Sequence, residues 1–145
     1  MDSPAATHVW LVLYRAARAV ERNALASIAA LGLGLSDFAV LELLLHKGPM
    51  PVNSLGRKVL LTSGSITTAV SRLETRNLVE RKPHATDRRA RIVELTPAGR
   101  KLIECAFTRH EQDMEKVMSV LKPAERTELI RLLKKVGLWA SARAE

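Results

Sequence analysis

Apolar residues recur every three or four positions in the first part of the chain, at Val9, Leu13, Ala17, Val20, Ala24, Leu25, Ile28 and Leu31. That spacing places them on one stripe of a long first helix. Gly32-Leu33-Gly34 ends it, because glycine takes the left-handed geometry of a C-terminal cap without steric penalty, and Ser36 is suited to cap a second helix by accepting an amide hydrogen bond. This second helix runs to about Lys47. Its Phe38, Val40, Leu41, Leu43, Leu44 and Leu45 fill more than one stripe, which predicts burial on most sides and a central place in the core. Gly48-Pro49-Met50-Pro51 breaks the chain. A short helix over Val52 to Leu60 follows, carrying Val52, Leu55, Val59 and the basic pair Arg57-Lys58, and a tight turn at Leu61-Thr62 closes it.

Thr62 is placed to cap a helix from Ser63 to Arg76, whose Ile66, Val70 and Leu73 share one face. At about 100° per residue, Gly64, Ser65, Thr68, Ser71, Arg72 and Thr75 point away from that stripe, with Thr67 on its flank. Small hydroxyl side chains plus arginine make an unusual solvent face, since ordinary surface helices mix Glu and Lys. Asn77 suits a left-handed cap, and Leu78 to Lys82 and Arg91 to Leu95 read as strands of a two-stranded ribbon with the basic tip Thr86-Asp87-Arg88-Arg89-Ala90-Arg91. Thr96-Pro97 opens a helix to about Leu121, with threonine as cap and proline in the first turn. A last helix begins near Pro123. Its Leu129, Ile130, Leu132, Leu133, Val136, Leu138 and Trp139 exceed what the small central motif covers. Either the terminal helices pack on each other within one chain, or they interleave with a second copy about a two-fold axis.

Composition narrows the class. At 145 residues, with 47% hydrophobic and 26% charged residues, the chain has the size and balance of one globular domain, which excludes a disordered or fibrous protein. The single cysteine, Cys105, excludes an internal disulfide and a cysteine-based zinc site, in keeping with a cytoplasmic protein. Neither an export signal at Met1-Asp2-Ser3-Pro4 nor an apolar stretch long enough to span a bilayer is recognisable, so no membrane partner is expected. The net charge of +8 is concentrated. Between Arg57 and Lys101 lie 11 of the 23 Lys and Arg residues but 4 of the 15 Asp and Glu residues, a net +7 against +1 for the rest. A polar helix that fits a major groove, beside a basic hairpin that fits a minor groove, makes duplex DNA the expected partner. The four histidines show no paired metal-ligand spacing, and no phosphate loop or nucleophile elbow is present, so no enzyme, metal site or cofactor is expected.

Helix, short helix, turn, polar helix and basic ribbon, in that order, predict a mainly α fold with a small β-wing: a winged helix-turn-helix flanked by N- and C-terminal dimerisation helices. The run Gly48-Pro49 … Leu55 … Leu61-Thr62-Ser63-Gly64-Ser65-Ile66-Thr67 … Leu73-Glu74 … Leu78-Val79-Glu80-Arg81 … Asp87-Arg88-Arg89 … Val93-Glu94-Leu95-Thr96-Pro97-Ala98-Gly99-Arg100 closely resembles the MarR transcriptional regulators. Detailed identity of motif covers about Leu35 to Arg100. The resemblance implies one globular unit with residues 35–96 as the DNA-binding region and residues 1–34 and 97–145 as the dimerisation region. It further implies a homodimer on a palindromic operator, usually a repressor, with small anionic or aromatic compounds as the expected effectors.

Carried onto this sequence, the resemblance makes Arg89 the wing arginine of the minor groove, with Asp87 holding the tip through a salt bridge and Arg88 and Arg91 placed for phosphates. The physics agrees, since a narrow A·T-rich minor groove concentrates negative potential that an arginine on a hairpin tip can reach. On the recognition helix the candidates are Ser63, Ser65, Thr67, Thr68, Ser71 and Arg72, the hydroxyls for phosphates or base edges and Arg72 for a guanine; the competing view of Arg72 is a surface arginine paired with a nearby acid. Arg57 and Lys58 are candidate backbone anchors or a solvated basic pair.

Trp10, Tyr14 and Arg15 on the first helix and His46 at the end of the second are candidates for an effector cleft, with His8 and His110 behind them. Trp10 and Tyr14, four residues apart, are by default core or dimer-interface residues. Peroxide-sensing members of the family carry a cysteine in the first helix, which this chain lacks; Cys105, amid Leu102, Ile103 and Ala106, is expected to be a buried small hydrophobe. Where the family places a serine or threonine before its last helix, this chain has Leu121-Lys122-Pro123, a cap lost at about 1 kcal/mol. Two rival classes share parts of the pattern: an architectural DNA-binding protein without sequence preference, and a winged-helix protein-interaction module.

Overall fold

A computed structural model describes residues 3–59 and 63–144, with the backbone alone at residues 63 and 64. Among these residues six helices and a small sheet follow one another as α1 (Ala6–Ala29), α2 (Leu35–Lys47), β1 (Met50–Pro51), α3 (Val52–Lys58), α4 (Ser63–Thr75), β2 (Val79–Pro83), β3 (Arg91–Leu95), α5 (Pro97–Met118) and α6 (Pro123–Ser141). The expected turn at Leu61-Thr62 and the capping role of Thr62 fall outside the described residues, as does Leu60.

Helix α2 is central, as its broad apolar pattern predicts. Phe38, Val40, Leu41 and Leu44 are buried against α4 on one side and α5 on the other. Around them close Leu55 of α3, Ile66, Ala69, Val70 and Leu73 of α4, Val79 and Val93 of the sheet, and Ile103 and Ala106 of α5. Each fully buried leucine, isoleucine or valine contributes roughly 1.5–3 kcal/mol of transfer free energy, and this cluster is the main force holding the winged region together.

The ribbon gains a third strand. Met50-Pro51 pairs antiparallel with β3, Met50 opposite Val93 and Pro51 opposite Ile92, giving the sheet order β1-β3-β2. Prolines on both sides of Met50 read as a chain break in sequence, yet proline is tolerated on an edge strand. Thr96 is the cap of α5, its hydroxyl accepting from Gly99 N–H at 3.0 Å and donating to the Asn77 carbonyl at 2.7 Å. Asn77 takes φ 57°, the left-handed cap expected of it. Gly99 is required for closeness, since a Cβ there would stand 1.8 Å from the Leu78 carbonyl oxygen.

Two expectations need correction and two need refining. Gly34, not Ser36, is the residue before α2: the Gly34 carbonyl already accepts from Phe38 N–H at 3.0 Å, so Ser36 lies inside the first turn and makes no cap bond. Cys105 is exposed, because two residues rotate a helix by about 200° and turn it away from buried Ile103 despite their nearness in sequence. The start of α6 keeps half of a capping box, with Lys122 N–H donating to Glu125 Oε2 at 2.7 Å, so one of the helix's otherwise unpaired amides is satisfied without serine or threonine. Trp10 and Tyr14 stack with centroids 5.8 Å apart but are not core residues of the chain; Trp10 is 64% exposed.

The last point is part of a larger one. Helix α1 packs against α5 through its C-terminal half, where Ser27 and Ile28 are buried, while Val9, Trp10, Val12, Leu13 and Tyr14 remain exposed. Helix α6 buries no residue at all, and Leu129, Ile130, Leu132, Leu133, Val136, Leu138 and Trp139 face outward. The terminal helices do not pack on each other within the chain over these faces.

Candidate nucleic-acid interface

Helix α4 turns Ile66, Ala69, Val70 and Leu73 into the core and leaves Ser65, Thr67, Thr68, Ser71 and Arg72 on the outer surface, as its helical wheel predicts. The Ser63 side chain lies outside the described residues. The exposed positions then divide. Ser65, Thr67 and Thr68 stand on the first half of the helix. Ser71 accepts a hydrogen bond from Arg81 Nη2 of β2 at 3.0 Å, and Arg72 Nη2 donates to Asp37 Oδ1 of α2 at 2.8 Å. The Asp37 hydrogen bond, reinforced by its charge, pushes the Arg72 guanidinium still further toward the protonated form. The nearby acid is thus present, and it comes from a helix whose periodicity predicts burial on most sides.

The wing is built in two electrostatic zones. At its base Lys82 pairs with Glu94 and, at 3.5 Å, with Glu80; these two glutamates face each other across the β2–β3 register. The lysine therefore offsets what is otherwise a like-charge pair, and hydrogen bonding from Lys82 holds the Glu94 carboxyl below its ordinary range. Arg81 is likewise engaged, with its backbone N–H and Nη1 on the Glu74 carboxylate at 3.2 and 3.1 Å. At the tip the pattern reverses. Among the described residues no hydrogen bond or ion pair engages the guanidinium groups of Arg88, Arg89 or Arg91, and all three are exposed.

The tip is nonetheless folded. Asp87 Oδ1 accepts from the Arg89 backbone N–H at 2.9 Å, and Ala90 N–H donates to the Asp87 carbonyl at 3.2 Å. The Asp87 carboxylate thus holds the tip through a backbone amide rather than the expected salt bridge, because the turn brings the amide, and not the guanidinium, to the carboxylate. His84 completes the tip: its Nδ1 accepts from the backbone N–H groups of Thr86 and Asp87, each at 3.1 Å. That geometry requires the imidazole proton on Nε2. In sequence His84 stands isolated from the other three histidines; its role comes from the turn that brings the Thr86 and Asp87 amides to its ring.

Between α3, α4 and the wing lies an open groove of about 420 Å³, lined by Pro51, Val52, Asn53, Ile66, Thr67, Asp87, Arg89, Ala90 and Arg91. Arg57 and Lys58 stand exposed at the end of α3. The effector candidates are not gathered in this way: Trp10, Tyr14 and Arg15 lie on the exposed half of α1, while His46 packs edge-on against Phe107 of α5 with centroids 4.7 Å apart. None of the four lines the groove or either of two further concavities on α5.

A three-stranded wing beside a helix-turn-helix whose second helix shows a hydroxyl face defines a winged helix-turn-helix protein, a class built for DNA. Comparison with known proteins is more specific. The MarR family model matches residues 33–90. Over 132 residues the chain is 40% identical to the HTH-type transcriptional regulator MhqR of Bacillus subtilis, covering 91% of each. AbsC, a MarR family transcriptional regulator from Streptomyces coelicolor, shares the fold with a TM-score of 0.87 over 98% of both chains at 20% identity. BpsR of Bordetella bronchiseptica, whose DNA binding is regulated by 6-hydroxynicotinic acid, matches with a TM-score of 0.74 and 27% identity over 88% of this chain and 98% of that one. The chain belongs to the MarR family, whose members are DNA-binding transcription regulators and not enzymes. Among the described residues no helix is long and apolar enough to cross a membrane.

Proposed function

We propose that the chain acts in the cytoplasm as a homodimeric repressor that holds a palindromic duplex operator and leaves it when a small anionic or aromatic effector binds. The observation that carries the reading is the set of exposed arginines on a folded wing tip, Arg88, Arg89 and Arg91, without a partner among the described residues and across a groove from the hydroxyl face of α4. Ser63, Ser65, Thr67 and Thr68 enter the major groove, Arg89 enters the minor groove, and the sugar-phosphate backbone between them occupies the groove lined by Thr67 and Arg91. Arg57, Lys58, Arg88 and Arg91 bind phosphates.

Residues 35–96 are the reading unit, and residues 1–34 and 97–145 join two copies. The exposed apolar residues of α1 and α6 support this reading, since a second copy would cover them. A two-fold dimer then sets two recognition helices one helical turn of DNA apart, which makes the operator palindromic. Occupying such a site excludes polymerase, the physical meaning of repression. For the effector, the support is the relative regulated by 6-hydroxynicotinic acid.

Selection from random duplex DNA, followed by salt titration on the recovered sequence, tests the reading. A palindromic consensus is expected, with affinity falling steeply as salt rises because neutralised phosphates release counterions. Enrichment of no sequence would instead indicate the architectural class, and affinity flat in salt would remove the arginine wing from the interface.

A further inference from the structure

Asp37 is a carboxylate inside the core helix, 7% exposed, with Arg72 of the recognition helix at 2.8 Å. A buried charge is tolerated only when paired, so deleting Arg72, whose own side chain is half exposed, leaves the Asp37 carboxylate uncompensated. The pair joins residues 35 positions apart, so it is a tertiary fastening and not a local feature of α4. Two more arginines fasten the same half of the helix: Arg76 Nη1 donates to the Gly32 carbonyl at 2.9 Å, and Arg81 grips Ser71 and Glu74 from the wing.

The apolar stripe beneath α4 cannot by itself fix how the helix is rotated. Burial of Ile66, Ala69, Val70 and Leu73 is non-directional, and a 13-residue helix has little length to resist rolling or sliding on it. A charge-assisted hydrogen bond has a preferred direction and a narrow range of lengths, so it converts a loose seat into one orientation. The anchor is itself well held. Its neighbour Phe38 is buried and packs on His110 of α5, ring centroids 5.0 Å apart, so consecutive residues of α2 face the recognition helix and the long helix that leads to α6.

We infer that Asp37 is a positioning residue for DNA reading: by holding Arg72 it sets the rotation at which Ser65, Thr67 and Thr68 are presented, and Arg72 serves this fastening instead of reading a guanine. The inference rests on the proposed DNA-reading function and deepens it.

The test uses the full chain and its D37A, D37N, R72A and D37A/R72A variants, with two readouts. The first is affinity for the selected duplex against a scrambled duplex of equal length at one salt concentration. D37A and R72A are each expected to lose roughly tenfold on the selected duplex, with little change on the scrambled one, and the double variant should be no worse than the weaker single, as partners in one interaction behave. D37N, which keeps an acceptor oxygen, should recover most of the loss. Loss in R72A with none in D37A, losses that multiply in the double variant, or equal losses on both duplexes would each overturn the inference. The second readout is hydrogen exchange without DNA. Amides of α4 should open roughly tenfold faster in D37A while those of α2 hold, and unchanged α4 exchange would overturn the role of Asp37 whatever the DNA results. If the wild-type chain selects no sequence, the function reading fails, while exchange still decides the fastening.

Discussion

The winged region and the terminal helices leave opposite needs unmet. In the winged region the apolar side chains of α2, α4 and the sheet are buried, while the tip cations Arg88, Arg89 and Arg91 have no partner among the described residues. In α6 the unmet need is apolar: Leu133 and Trp139 stand exposed, Trp139 to 62%, while Arg126 grips Glu115 at 2.7 and 2.9 Å and Arg131 grips Glu128 at 2.7 Å. A surface advertises the partner that would satisfy it. Guanidinium groups without a partner among the described residues fit a polyanion, and an uncovered apolar face fits another apolar face, which under the proposed function is that of a second copy.

The largest effect should come from breaking the apolar side of this contrast. Leu133→Asp puts a charge in the middle of the α6 face, and light scattering should then report a single chain's mass. Operator affinity should fall by roughly 100-fold or more, because the second half-site loses its tethered reader. Helix content should change little, since α6 buries nothing within its own chain. An undiminished dimer would move the interface elsewhere and dissolve the contrast.

On the charged side the effect should be smaller and more selective. Arg89→Ala is expected to cost about 1–3 kcal/mol of operator affinity and to relax any preference for A·T pairs beneath the wing, leaving the dimer intact. Unchanged affinity in a binding titration would take Arg89 out of the interface. Smaller still, His84→Ala should cost roughly twofold, as two exposed backbone amides lose an acceptor and the tip loses shape rather than charge. If His84→Ala equals Arg89→Ala, the tip works by shape and the charge contrast has been drawn too simply.

Much of the winged region was legible because its signals are local. The Thr96-Pro97 cap, the left-handed Asn77, the stripe Ile66, Val70 and Leu73 and the hydroxyl face opposite it each depend on residues within one or two turns, and each stands where the pattern predicts. What failed also failed for a physical reason. The sequence neighbours of Cys105 predict burial, whereas a helix sorts residues by angle. The third strand at Met50-Pro51 exists only because β3 arrives beside it.

Sequence alone determined the helix order, the positive middle and the family, because helical period, caps and charge are written in adjacent residues. Tertiary structure decided how the exposed side chains are divided between tasks. Ser71 and Arg72 share the solvent face of the helical wheel, and only the fold shows that Arg81 and Asp37 engage them from β2 and α2. No local pattern encodes that pairing, since it depends on which distant side chains the packed core brings within hydrogen-bond reach.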